Sequence, residues 1–148
     1  MKVANWQRNA IADLREYEQV QQSLVNIPQE IKGLEMAMTA LRGAGFDKTP
    51  VEGGTSSYES RLIDNIDRRE RLKINLEIAR AKVERIGRGL AALSENEALV
   101  LRRFYIRRER DYIDRLCEEL GYEQRNIYKI KDVALKKFTL AMFGVVDL

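Results

Sequence analysis

The sequence predicts an all-α protein, with an N-terminal antiparallel, coiled-coil-like helical hairpin followed by a C-terminal helix-turn-helix. Apolar residues recur at alternating steps of three and four along two long N-terminal stretches, which is the period of packed helices. A glycine-rich segment, residues 43–57, separates these stretches and is predicted to be a loop. Further along, two shorter helical patterns meet at Gly121. We therefore expect one domain over residues 1–93 and a second over residues 94–148.

The two N-terminal stretches each form a narrow apolar seam. The first seam contains Leu24, Ile27, Ile31, Leu34, Met38 and Leu41, and the second contains Leu72, Leu76, Ala79, Val83, Ile86, Leu90 and Leu93. Heptad seams of this kind pack helices against one another. Pro28 interrupts the first stretch, so that residues 3–42 form either two helical segments or one kinked helix.

An isolated hairpin covers the flanks of such narrow seams poorly, and we therefore expect a homodimer. The residues predicted to form the dimer interface are Leu24, Ile27, Ile31, Leu34, Leu76, Val83 and Ile86. The alternative is that residues 1–93 pack with the C-terminal helices as a monomeric bundle.

The C-terminal part begins with a capping box and ends in two helices that meet at a glycine. Ser94 and Glu97 have the spacing of an N-cap and its third helical residue. Further along the chain, apolar residues at helical spacing lie on both sides of Gly121, a residue type that often ends a helix with positive φ. These apolar residues are Ile113, Leu116, Cys117, Leu120, Tyr122, Ile127 and Ile130. The arrangement predicts a helix-turn-helix, a common DNA-binding motif, although similar helix pairs occur in proteins that never touch DNA.

The charge distribution supports double-stranded DNA as the partner, although the net charge is only +3. Residues 102–110 carry five arginines against one glutamate, and residues 124–137 carry five basic residues against one aspartate. We expect the helix that starts at Glu123 to enter the major groove, with Gln124, Arg125, Tyr128 and Lys129 reading bases. Phosphate contacts are predicted for Arg102, Arg103, Arg107, Arg108, Lys131 and Lys136.

Residues 93–143 resemble region 4 of bacterial sigma factors. The resemblance rests on Leu93 to Glu97, Val100-Leu101, Arg103 to Tyr105, Ile113 to Gly121, Ile127 and Ala134 to Phe138. By its layout the whole chain resembles the ArpU/RinA-type regulators of phage and prophage late transcription. The resemblance implies a sequence-specific transcriptional regulator, in particular an activator of late genes. One departure is Glu123-Gln124, where sigma-like motifs usually have Ser or Thr.

Two other functions are compatible with the same pattern. Region-4-like helices also dock on RNA polymerase, so the chain could be a polymerase-binding interaction module. A viral DNA-packaging subunit of the small-terminase type also combines a helix-turn-helix with coiled-coil helices, but usually has the DNA-binding motif first. A ring of eight or more copies would favour packaging, whereas a dimer would favour the regulator.

Composition argues against an enzyme. The 148 residues include no His and a single Cys, Cys117, so neither a zinc finger nor a Cys-His nucleophile can be formed. No phosphate-binding glycine motif occurs, and we expect no cofactor, no metal site and no catalytic residue. The chain also has no apolar run of the ~20 residues that a membrane helix needs. With its lone Cys, this favours a cytoplasmic location, in a bacterial host if the phage resemblance holds.

Overall fold

The computed structural model describes residues 5–46 and 54–146, and within them it contains helices and no strand. The helices are α1 (Trp6–Phe46), α2 (Gly54–Ala91), α3 (Glu95–Leu101), α4 (Tyr112–Leu120) and α5 (Gln124–Phe143). A π-helical segment, Arg102–Ile106, continues α3. The prediction of an all-α protein is confirmed. Of the predicted loop, residues 47–53 lie outside the described residues, whereas residues 43–46 and 54–57 belong to α1 and α2, which corrects the predicted bounds of the loop.

Pro28 lies inside α1, which is a single helix from Trp6 to Phe46. The alternative of two separate segments is therefore not what the structure shows. Proline removes one backbone donor and clashes with the preceding turn, but a long helix can accommodate the loss by bending locally.

The chain divides into two compact units that differ from the predicted domains. Unit 1 comprises residues 1–20 and 82–148, and unit 2 comprises residues 21–81. The predicted boundary at residue 93 falls inside unit 1, because both ends of the N-terminal region pack with the C-terminal helices. A seam pattern shows that a helix buries one face, but it does not show which helix covers that face.

Unit 1 has a first core to which α1, α2, α3 and α5 all contribute. Its buried residues are Ala10, Leu14, Tyr17, Ile86, Leu90, Leu101, Ala134, Leu135 and Phe138. Gly89 lies against this core, so close that a β-carbon there would come within 2.7 Å of Phe138 Cε2. The aromatic ring occupies the space that a side chain at position 89 would need.

A second core in unit 1 holds α3, the π-helical segment, α4 and α5 together. Val100, Phe104, Leu116 and Ile127 are its buried members. The half-buried residues around it include Ile113, Cys117, Leu120 and Ile130. These are the positions that the sequence pattern predicted to face inward, and their burial is confirmed.

Unit 2 contains the middle parts of α1 and α2. The Asn65 side-chain amide donates a hydrogen bond to the Leu34 carbonyl at 2.8 Å, and Arg69 contacts Met38 Sδ at 2.8 Å. Met38, Leu76 and Ala79 are buried. The antiparallel hairpin stays a prediction with which these contacts are compatible.

Candidate nucleic-acid interface

The capping box at the start of α3 has the predicted geometry. Ser94 Oγ accepts a hydrogen bond from the Glu97 backbone N–H at 3.2 Å, and Glu97 Oε1 accepts one from the Ser94 backbone N–H at 3.1 Å. Glu97 also pairs with Lys137 of α5, with Nζ 2.9 Å from Oε2. The hydrogen bonds from Lys137 and from the Ser94 backbone lower the pKa of Glu97 below its ordinary value of 4.5. The start of α3 is therefore tied to α5.

The π-helical segment fixes α4 through one aromatic ring and one ion pair. Phe104 is buried and meets the ring of Tyr112 edge-on, with the ring centroids 5.1 Å apart. Arg103 donates to both carboxylate oxygens of Glu119, at 3.0 and 3.1 Å. Both hydrogen bonds come from one guanidinium nitrogen, Nη2, which is shared between the two oxygens. Arg103, predicted to contact phosphate, is therefore paired within the protein.

The connection between α4 and α5 is a short turn with a left-handed glycine. Gly121 has φ +72° and its N–H donates to the Cys117 carbonyl at 2.9 Å, which ends α4. Glu123 has an extended backbone and is the N-cap of α5, without a side-chain cap. Tyr122 is 42% exposed, which corrects the expectation that it packs under this corner. The Tyr122 ring, which follows the left-handed Gly121, is directed away from the core.

The exposed side of α5 carries three basic residues whose positions share one helix face. Arg125, Lys129 and Lys136 are exposed, and their spacings of four and seven residues place them on one helix face. In the described part of the chain none of the three takes part in an ion pair. Asp132 lies on the same face and pairs with Lys131. We call Arg125, Lys129 and Lys136 the basic face of α5.

The two other predicted base-reading residues flank the basic face. Gln124 is exposed at the first position of α5. Tyr128 is 39% exposed, and its ring packs edge-on against Phe104 with the centroids 5.7 Å apart. The second core therefore holds this ring in place and leaves part of it accessible.

Lys131 is separated from the basic face, contrary to the role predicted for it. Its side chain is only 20% exposed, its Nζ lies 2.7 Å from Asp132 Oδ1, and it lies over the rings of Phe104 and Tyr128. Burial alone would lower the pKa of Lys131, but the hydrogen bond from Lys131 to Asp132 and the neighbouring charges raise it. Sequence spacing could not reveal the contact with Phe104, because Phe104 precedes Lys131 by 27 positions.

Three of the predicted phosphate-contacting arginines lie around one cleft. A cleft of about 250 Å³ is lined by Arg102, Arg103 and Arg107 together with Glu18, Leu99, Ile106 and Glu109. Arg107 pairs with Glu18 at 3.0 Å, so part of the positive charge is neutralised within the protein. Glu18 is far away in sequence, and no local pattern indicated this pair. Arg102 is exposed at the edge of the π-helical segment.

Arg108 is held by an aromatic ring. Its guanidinium lies 4.6 Å from the centroid of Tyr112 and the side chain is exposed. A cation over a ring keeps its charge and its donors available at the edge. Arg108 therefore remains able to contact a phosphate group.

The predicted dimer interface is only partly accessible. Ile86 has no exposed surface and Leu76 is 9% exposed. Val83 packs against the first core of unit 1. The structure thus corrects the prediction at Ile86 and Leu76, because a side chain buried within its own unit cannot contact a second copy, whereas Val83 is half-buried. The remaining four, Leu24, Ile27, Ile31 and Leu34, are half-buried within unit 2.

Other kinds of site find no support in the described residues. Within them, no group of three His, Cys, Asp or Glu side chains could hold a metal ion. None of the described helices combines the length and the apolar character needed to traverse a bilayer. Comparisons with protein-family models, with curated proteins and with solved structures give no match for this chain.

Proposed function

We propose that this protein binds double-stranded DNA in a sequence-specific manner and regulates transcription. In this proposal α4 and α5 act as a helix-turn-helix, and α5 lies in the major groove. The observation that carries the proposal is the basic face of α5, where Arg125, Lys129 and Lys136 are exposed without an internal partner. Unpaired basic side chains on one face of a helix match the negative potential of a groove between phosphate strands.

The packing beneath α5 supports this role. Ile127 is fully buried in the second core, two residues from both Arg125 and Lys129 and therefore on the opposite side of the helix. A helix that is anchored on its inner face presents its outer side chains in a fixed register, which reading of bases requires. Arg125 can donate two parallel hydrogen bonds to guanine, which makes it the strongest candidate for a specific contact.

The surrounding arginines would supply contacts that do not depend on sequence. Arg102 and Arg108 are exposed, and in the described part of the chain neither has an ion-pair partner. Arg103 and Arg107 would have to exchange an internal carboxylate for a phosphate, so we expect them to contribute less. Because the slope of the salt dependence scales with the number of phosphates neutralised, and few free cations are available here, binding should weaken only gradually between low and moderate salt.

The biological role follows from the sequence resemblance. The similarity of residues 93–143 to sigma region 4, and of the layout to ArpU/RinA-type regulators, favours an activator of phage or prophage late genes.

Selection from a random DNA pool tests the proposal. Full-length protein would be incubated with the pool at low and then at moderate salt, and the retained DNA sequenced. A short enriched motif at moderate salt is the expected result. An unenriched pool, or loss of all binding at moderate salt, would contradict sequence-specific binding, and binding to RNA polymerase alone would favour an interaction module.

A matched variant shows whether any binding uses α5. Lys129→Ala removes one charge from the basic face, whereas Lys32→Ala removes one exposed charge from unit 2. Loss of affinity for Lys129→Ala alone supports the proposed interface. Equal losses for both variants would indicate attraction by overall charge.

A further inference from the structure

Four isoleucines on α2 are exposed to solvent. Ile63, Ile66, Ile74 and Ile78 expose 64%, 43%, 60% and 61% of their surfaces. Counted from Ile63, the others follow after three, eleven and fifteen residues, so all four lie on one side of the helix. We call this set the isoleucine stripe.

The stripe lies on the side of α2 that faces away from α1. Within unit 2, Asn65 and Arg69 make the contacts to Leu34 and Met38 of α1. At 100° per residue these two positions are roughly opposite Ile74. Exposed apolar side chains gathered on one helix face often mark an interaction surface, and here Asp67 and Glu70 lie between the isoleucines.

The spacing of the stripe is nearly symmetric about Glu70. Ile66 and Ile74 are each four residues from Glu70, and Ile63 and Ile78 are seven and eight residues away. The pattern is therefore almost unchanged when the helix direction is reversed. A two-fold interface joins one surface patch to the same patch on a second copy, and an antiparallel helix pair needs this symmetry.

The charges on one flank of the stripe are also self-complementary. Arg71 lies 3.0 Å from Asp67 on one flank, and Lys73 lies 3.3 Å from Glu70 on the other. Each flank thus has one acid and one base. When two copies of α2 pair antiparallel about Glu70, each flank meets the same flank of the other copy. Asp67 then lies near Arg71 of the other copy on one flank, whereas on the other flank the two Glu70 side chains meet at the symmetry centre, each balanced by Lys73 of its own chain.

We infer that the isoleucine stripe binds a second copy of this chain, with the two α2 helices antiparallel. The interface differs from the seam that the sequence pattern predicted, and it does not rest on the proposed DNA binding. Four isoleucines per copy bury less than the roughly 1,200–2,000 Å² of a stable interface, so association is in the micromolar range.

Sedimentation of the full-length protein tests the pairing. We expect a monomer–dimer equilibrium with a micromolar dissociation constant. Ile74→Lys should weaken it by about tenfold or more, because the new ammonium must be desolvated in the interface. Val25→Lys is the matched control, since Val25 is 59% exposed but belongs to α1. A wild-type protein that stays monomeric, or equal effects of the two variants, would overturn the inference.

Charge exchange tests the flanks. Asp67→Arg places like charges across one flank and should weaken the dimer, whereas Asp67→Arg combined with Arg71→Asp should restore it. Circular dichroism checks that helix content is unchanged in both. Failure of the double variant to recover association contradicts the pairing of the flanks.

Disulfide formation tests the alignment. In a Cys117→Ala background, Glu70→Cys places thiols at the symmetry centre, and Ile63→Cys places them near Ile78 of the other copy. Mild oxidation should cross-link the first variant rapidly and the second slowly. Equal cross-linking of the two would exclude the antiparallel arrangement.

Discussion

Gly89 of α2 lies directly against Phe138 of α5. A β-carbon at position 89 would come within 2.7 Å of Phe138 Cε2 and 3.1 Å of Met142 Sδ. Phe138 is fully buried in the first core and cannot move aside without displacing its neighbours. This contact explains why a residue unfavourable for helices occupies an internal helical position.

The Gly89→Ala variant should therefore be destabilised. We expect the free energy of unfolding to fall by about 1–3 kcal/mol, because an overpacked core must shift. Gly87→Ala is the matched control, since its new methyl group would lie 3.7 Å from the Tyr17 hydroxyl, an ordinary contact. Alanine favours helix there by up to about 1 kcal/mol, so this variant should be stabilised. Urea denaturation measures both changes, and a stabilised Gly89→Ala protein would contradict the close packing.

The turn before α5 should depend on glycine at position 121. Gly121 has φ +72°, and there is open space around it, so the cost of a side chain is conformational. Gly121→Ala should lower the free energy of unfolding by about 1–2 kcal/mol. Gly121→Asn should cost less, because asparagine tolerates this backbone region. Equal losses in the two variants, measured by thermal unfolding, would show that backbone strain is not the cause.

The Glu97–Lys137 pair should make stability depend on acid pH. The pKa of Glu97 is lowered in the folded protein, so its contribution is present above about pH 4.5 and disappears as the pH falls through the lowered value. Because Lys137 is 56% exposed, we expect no more than about 1 kcal/mol from the ion pair.

Glu97→Gln isolates this contribution. Glutamine can still complete the capping box but cannot form an ion pair. The difference in unfolding free energy between wild type and variant should shrink as the pH falls below 4.5, when measured by urea denaturation at each pH. Glu95→Gln, at an exposed position in the same turn, is the control. A difference that persists in acid would mean that the hydrogen bonds alone carry the effect.

The local features of the C-terminal region were predictable from sequence. The Ser94–Glu97 capping box, the glycine at the end of α4 and the inward residues Leu116 and Ile127 depend on spacing within one or two helical turns. The pattern of apolar positions also predicts helices, and an all-α fold, without knowledge of how those helices are arranged.

Long-range partners were not predictable in the same way. Arg103 pairs with Glu119, Arg107 pairs with Glu18 and Lys131 lies over Phe104, and each contact depends on how separate helices pack. Charge counting treats all these cations as available, whereas the structure leaves only some of them free to meet a ligand. The burial of Ile86 shows the same limit for apolar residues, because a seam can face its own unit or a second copy.

Two variants of the basic face of α5 should have different effects, one on the preference for particular base pairs and the other on the affinity for DNA of any sequence. If α5 lies in the major groove, Arg125→Ala removes a two-pronged donor near its N-terminal end and should relax the preference at one base pair. The expected loss of discrimination is about 1–3 kcal/mol, or roughly tenfold to a hundredfold. Lys136→Ala should instead weaken binding to all sequences and reduce the salt dependence by about one unit of slope. Competition binding with the selected site and its single-base variants, over a range of salt, measures both effects.

Lys137→Ala is the control, because Lys137 is paired with Glu97. An unchanged sequence preference in Arg125→Ala would remove that residue from base reading.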